Sequence, residues 1–207
     1  AWQRLIVMLG GVTVNFLLGI FIYSMTLNTY GEKYLLNDDL VDGVWCVDSI
    51  AYKIGFQNGD KVVSVDNKKI ERFSDITSSL LTGKTVQIER NGIVEEIVIP
   101  KNFIEQLIEN EKNKSGKGFL FYPRIPTVVS GFGENSNAKK AGLKERDRII
   151  EINGKKAIYF DQLKKELSGC ANKTVELKLD REGEEILVSC NVDKTGALGF
   201  VPANLNL

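Results

Sequence analysis

From Leu5 to Leu27 the chain carries no charged residue, and beyond that stretch its apolar positions break into short alternating runs divided by glycine, asparagine and aspartate. The first pattern predicts a helix long enough to cross a bilayer, since about 20 residues span the hydrocarbon core. A cleaved leader is the alternative. Its apolar stretch, however, is about 7 to 15 residues and ends at small side chains, unlike Thr29-Tyr-Gly-Glu32. The second pattern predicts strands and tight turns, and it occurs twice. Ala51-x-x-x-Gly55 leads to Asp60-Lys-Val-Val-Ser-Val65-Asp-Asn, and Ala138-x-x-x-Gly142 leads to Asp147-Arg-Ile-Ile-Glu-Ile152-Asn-Gly, 87 positions further on. Self-similarity at a fixed offset predicts two copies of one module.

Each copy continues in the same order. Phe73 to Leu80 and Phe160 to Leu167 have apolar residues at helical spacing, with Ser74 and Asp161 as candidate N-caps. Thr85 to Ile99 and Thr174 to Val192 alternate as antiparallel hairpins do. Between the copies, Asn102 to Glu111 pairs Phe103 with Leu107 and Ile104 with Ile108, which predicts an amphipathic helix packed on the first copy. Lys112 to Lys117 reads as a loop, and Pro123-Arg-Ile-Pro126 as a short stiff joint. The expected layout is a spanning helix over residues 1–29, a first module over 30–126 and a second over 127–207.

Composition narrows the chemistry. Histidine is absent, which excludes a Ser-His-Asp triad, a Cys-His pair and a histidine-containing zinc site from this sequence. Basic and acidic residues number 27 each, without long single-sign blocks, so nucleic acid is not an expected partner. Cys46, Cys170 and Cys190 make an odd count, and buried free thiols are favoured over a Cys170-Cys190 bridge. Arg4 before the apolar run and Glu32, Lys33, Asp38 and Asp39 after it place the N-terminal side in the cytoplasm and the modules outside. Within the run, Gly11, Asn15 and Gly19 form a small-residue stripe suited to helix packing. An amide in lipid also calls for a polar partner, so both roles stay open for Asn15.

The repeats resemble PDZ domains in their circularly permuted bacterial form, in which the peptide-binding strand comes last. The second copy ends Gly196-Ala-Leu198-Gly199-Phe200-Val201-Pro202, similar to the Gly-Leu-Gly-Phe carboxylate loop of that family. The first ends Gly118-Phe119-Leu120-Phe121-Tyr-Pro123, with Leu120 in place of the loop glycine. The resemblance implies an α+β chain of two tandem small antiparallel β-sandwiches or barrels with helices. It also implies peptide addition along a sheet edge beside a helix. The residues expected to line the second groove are Leu198, Gly199, Phe200 and Val201, with Leu163 or Leu167 from the facing helix. Core packing is the competing role for these two leucines. In the first copy Phe119, Leu120 and Phe121 take the corresponding places, and the missing glycine predicts a steric role rather than capture of a carboxylate.

A spanning helix bearing Gly11, Asn15 and Phe16, followed by two such modules, resembles the bacterial site-2 proteases of the RseP type. Val12 stands where that family's Gly-Pro-x-x-Asn-Phe motif has proline. The resemblance implies an inner-membrane zinc metalloprotease whose metal ligands, in HExxH and an Asp-bearing motif, lie on segments other than this one. No catalytic residue and no metal ligand are expected here. The modules would face the periplasm and filter or sense pre-cleaved membrane substrates, such as anti-sigma factors or signal-peptide remnants, through their exposed C-termini. Asn15 would handle substrate backbone. Two alternatives are the PDZ region of an HtrA-type periplasmic serine protease and a non-enzymatic membrane-anchored PDZ adaptor. The first would place a catalytic domain between anchor and repeats, where only about 20 residues separate Leu27 from Val47.

Overall fold

The computed structural model describes residues 2–31, 34–113 and 119–203. Glu32, Lys33, most of the loop expected at 112–117, and Gly118 lie outside the described residues. The chain divides into two units, Ala1–Tyr34 and Leu35–Leu207. The first is one helix, α1, over Trp2–Tyr30. Its stretch Leu9–Tyr30 is long and apolar enough to cross a membrane by length and composition. The hydroxyls of Thr26 and Thr29 each donate to the carbonyl four residues earlier at 2.8 Å. Both polar groups are thereby satisfied within the helix, as an apolar surrounding demands.

The second unit repeats one plan. After a 3-10 turn at Asn37–Asp39 come β1 (Val44–Cys46), α2 (Ser49–Lys53), β2 (Lys61–Val65), β3 (Lys68–Lys69), α3 (Asp75–Thr82), β4 (Thr85–Arg90), β5 (Ile93–Val98), α4 (Phe103–Asn113) and β6 (Phe121–Pro123). Then follow β7 (Val129–Phe132), α5 (Asn137–Lys140), β8 (Arg148–Ile152), β9 (Lys155–Lys156), α6 (Phe160–Leu167), β10 (Thr174–Arg181), β11 (Glu184–Asn191) and β12 (Phe200–Pro202). The sheets run β3-β2-β4-β5 and β9-β8-β10-β11, and the closing strand of each half pairs antiparallel with its opening strand, β6 with β1 and β12 with β7. Every strand pair is antiparallel, so the class is α+β with a duplicated topology.

Turn chemistry sets the strand register. Asp66-Asn67, Asn91-Gly92, Asn153-Gly154 and Glu182-Gly183 all hold two successive positive φ angles, the twist that suits two-residue hairpins. Each half buries its own apolar cluster, one around Ile50, Ile76, Leu80 and Ile88, the other around Ile149, Ile152, Leu163, Leu177 and Leu179. On α4, Phe103 is buried and Leu107 packs on the first cluster, whereas Ile104 and Ile108 are exposed.

A buried carboxylate recurs at the start of each sheet. Asp60 takes the Arg90 guanidinium at 2.8 and 2.7 Å, and Arg90 also donates to the Gly55 carbonyl. Asp147 takes Arg181 at 2.7 Å through both oxygens, and Arg181 also donates to the Gly142 carbonyl. Both aspartates are 1% exposed. Burial alone would raise the Asp147 pKa, but the hydrogen bonds from Arg181 and from the Lys144 N–H outweigh it and hold the carboxyl below its usual range.

Asp161 departs from its expected role as N-cap. Helix α6 is capped by Tyr159, whose N–H donates to the Gln162 side chain at 3.2 Å. Asp161 falls inside the first turn because its carboxylate is drawn to Asn58 and Arg124 of the other half.

Because its folded pKa is depressed, Asp147 contributes stability that is present above the unfolded value and lost as pH falls through the folded one. Arg181→Ala should therefore destabilise the chain by about 3 kcal/mol at neutral pH, the cost of leaving a buried charge unpaired. The difference from wild type should shrink below about pH 4, where the carboxyl protonates in the variant and in the unfolded chain. Urea unfolding followed by circular dichroism across pH 2 to 8 measures both effects, and a difference that stays constant with pH would refute this account.

Candidate functional site

In both halves a helix stands beside the closing strand, α3 beside β6 and α6 beside β12. Each closing strand is bonded along one edge to its opening strand, so among the described residues its other edge carries no strand. The residues there differ between the copies. In the first, a cavity of about 460 Å³ opens between Phe73, Ile76, Thr77 and Leu81 on the α3 side and Phe119 and Phe121 on the β6 side. Phe119 is 57% exposed at its mouth and Phe121 is nearly buried in its wall. Leu120 is 1% exposed and belongs to the core, while its carbonyl accepts from the Val47 N–H at 2.9 Å.

In the second copy the turn before β12 is built for close backbone approach. Gly199 has φ +84°, and a Cβ there would lie 3.0 Å from the Ser136 Cα, so glycine is required on both counts. The Gly199 and Leu198 carbonyls accept from Gly133 and Ala138 at 3.0 and 2.8 Å. Asp193 ties the turn by accepting from the Thr195 hydroxyl and from the N–H groups of Thr195 and Ala197. Led by the Thr195 hydroxyl and the Ala197 N–H, these bonds hold its carboxyl below the usual range. Among the described residues, the N–H groups of Leu198 and Gly199 meet no acceptor. Free backbone amides beside a glycine turn can receive an anion.

Of the residues singled out in the second copy, Gly199, Phe200 and Val201 surround this turn and the strand after it, with Val201 exposed. Leu198, Leu163 and Leu167 point into the core at 2%, 0% and 6% exposure, so of the two roles open to the helix leucines packing is the one they fill. Phe160 on α6 meets Phe200 on β12 edge to face at 6.4 Å. Gly11, Asn15 and Phe16 lie exposed on α1 in the other unit, and a Cβ added at Gly11 or Gly19 would meet nothing within 4 Å beyond the helix's own backbone.

Several residues of the grooves were not picked out from the sequence as peptide contacts. Phe73, Thr77 and Leu81 line the first groove, and Phe73 was visible only as the helix-start match of Phe160, 87 positions on. Asp193 had a local signal, a side chain two residues before Thr195 in a glycine-containing turn. The contacts between halves had none. Arg124 reaches Asp161 at 3.1 Å and lies 3.8 Å over the Tyr159 ring, Asn58 donates to Asp161 at 2.8 Å, and the Tyr159 hydroxyl donates to Asp42 at 2.8 Å.

The sequence profile of the PDZ domain matches residues 128–181, from the residue before β7 to the end of β10. Among curated proteins, the chain is similar to several called "putative zinc metalloprotease". The one from Treponema pallidum is 23% identical over 193 residues, 88% of this chain and 40% of that protein. The one from Neisseria meningitidis is 25% identical over 191 residues, 88% of this chain and 41% of that protein. A third, from Mesorhizobium japonicum, is 36% identical over 83 residues, 40% of this chain and 22% of that protein. The chain thus spans less than half the length of these relatives.

No group of three or more histidine, cysteine, aspartate or glutamate side chains among the described residues is placed to hold a metal ion. The three cysteines are free thiols. Burial, with Asp60 next, pushes Cys46 up to about 12, and burial pushes Cys190 up to about 11, so neither forms a thiolate near neutral pH. Iodoacetamide at pH 8 should label Cys170, which is partly exposed, and spare the other two until the chain unfolds. Mass spectrometry of the native and urea-treated protein reads this, and native labelling of Cys46 would contradict the burial described.

Proposed function

We propose that this chain is the regulatory region of a membrane-embedded zinc metalloprotease. In this reading α1 spans the inner membrane, and residues 30–126 and 127–207 are two circularly permuted PDZ domains on the extracytoplasmic side. The observation that carries it is the similarity to the Treponema and Neisseria proteins over 88% of this chain, which takes in both modules. The PDZ match over residues 128–181 supports the peptide-binding half of the reading. The residues here do not suit zinc, since the sequence has no histidine and the described residues hold no acidic or thiol cluster. The metal belongs to other segments of the parent protein, and no step of hydrolysis is assigned to this chain.

The grooves fit different parts of a substrate. A peptide ending beside Gly199 would place its carboxylate on the Leu198 and Gly199 N–H groups and extend antiparallel along the free edge of β12. The first groove lacks the glycine turn but holds an apolar cavity. It would admit a bulky apolar side chain without reading a terminus. Together the domains admit shortened membrane proteins, such as anti-sigma factors or signal-peptide remnants, and Asn15 on α1 bonds the substrate backbone next to Gly11 and Phe16.

A free-acid peptide with an apolar C-terminal residue should bind the chain more tightly than its amidated form, and Gly199→Val should erase the difference. Equal titration of the two forms would leave only a steric filter. In the parent protein, a chelator should stop cleavage. Asn15→Leu should lower cleavage at unchanged abundance and membrane insertion. A loss of cleavage that merely follows abundance would assign Asn15 to packing with Gly11 and Gly19, and chelator-resistant cleavage would remove the metalloprotease reading.

A further inference from the structure

The two grooves are built from matching positions yet stand in different states. Phe73 and Phe160 open the equivalent segments, and Phe121 and Phe200 occupy the equivalent closing strands. In the first groove, Phe73 and Phe121 line the two sides of an open cavity of about 460 Å³. In the second, Phe160 crosses from the helix to meet Phe200 at 6.4 Å with perpendicular rings. The second pair of rings is also in contact with the other half. Trp45 of β1 packs edge to face on Phe160 at 6.3 Å and carries the Lys164 ammonium 5.5 Å over its ring. Trp45 is itself backed by Tyr122 at 5.9 Å, and Tyr122 by Phe119 at 5.7 Å. At the start of α6, Asp161 and Tyr159 fix the same end of the helix to Asn58, Arg124 and Asp42.

We infer that Trp45 acts as a wedge that keeps the second groove shut, by pressing Phe160 onto Phe200 across the path an added peptide strand would follow. This inference rests on the groove assignment proposed above and adds its regulation. Phe160 meets Phe200 on one side and Trp45 on the other, so in this account the groove opens when the contact between halves loosens. Substrate entry to the second groove is then tied to the relative placement of the two modules, and the first groove, whose mouth residue Phe119 ends the same row of aromatic rings, is open from the outset. A groove open only about a tenth of the time binds its peptide about tenfold more weakly than the same groove held open.

The test uses the full chain in detergent micelles and a fluorescein-labelled hexapeptide, Gly-Ser-Ala-Val-Ala-Leu, with a free carboxylate. Binding is assigned to the second groove by its loss in Gly199→Val. NMR contacts between the Phe160 and Phe200 rings report the bridge itself, and the methyl spectrum of Leu177 and Leu179 reports the fold. Trp45→Ala should abolish the ring contact, leave the core methyls in place and tighten the peptide about tenfold. Phe160→Ala, which removes the bridge from the side of the second module and takes the ring off Trp45 as well, should tighten it similarly. Persistence of the Phe160–Phe200 contact in Trp45→Ala would overturn the wedge, as would loss of that contact with unchanged or weaker binding. If the contact is lost in Trp45→Ala but no variant binds the peptide, the wedge stands and the groove assignment falls.

Discussion

A single buried carboxylate, closed by two guanidinium nitrogens, organises each half of the second unit. Asp60 and Asp147 gather the end of a short helix, the first long strand and the far end of a hairpin, because their arginine partners also bond the carbonyls of Gly55 and Gly142. The backbone of the same residues does a second job. The carbonyls of Asp60 and Asp147 accept from the N–H groups of Val44 and Val129, so the opening strand hangs from the same point, and the closing strand hangs from the opening one. A buried polar network of this kind specifies one arrangement only while every member is satisfied. The free edge of each closing strand is thus placed by a buried ion pair.

The local half of this architecture was legible in the sequence. Asp66-Asn67 and Asn153-Gly154 end their strands where expected, and the aspartates stand at a constant offset. The arginines escaped notice because β4 has six residues and β10 has eight, so a comparison at fixed spacing passes over Arg181. Helical periodicity marked Leu163 and Leu167 but could not divide core from groove, since both uses favour the same spacing. Asp161 looked like a cap because an acidic residue suits the first turn of a helix. What decided its place was Arg124, 37 residues away in sequence, and Asn58, 103 residues away. Contacts of that kind leave no periodic trace.

Duplication has preserved the backbone plan and varied the side chains on it. Leu120 and Gly199 precede equivalent strands, yet one fills a core and the other permits a turn with positive φ. Thr77 and Lys164 sit 87 positions apart on equivalent helices. Thr77 lines a cavity, and Lys164 lies over the indole of the neighbouring half. Two copies of one scaffold therefore present unlike surfaces without any change of topology, which is the ordinary way in which function is placed on a fold.

The joint between the halves is part of the second half's own hydrogen bonding. The Ile125 carbonyl accepts from the Phe160 N–H, and the Thr127 N–H donates to the Ile158 carbonyl. One residue before this pairing, Arg124 is seated so closely that a Cβ on Gly59 would lie 2.8 Å from its guanidinium. An extended residue advances the chain by about 3.3 Å and turns the next side chain to the opposite face. Insertions or deletions between Pro123 and Pro126 would consequently throw Arg124 out of register with Asp161 whatever residue was added. The length of this joint is under tighter constraint than its composition, and relatives that keep the paired arrangement should vary in the letters of this segment before they vary in its number of residues.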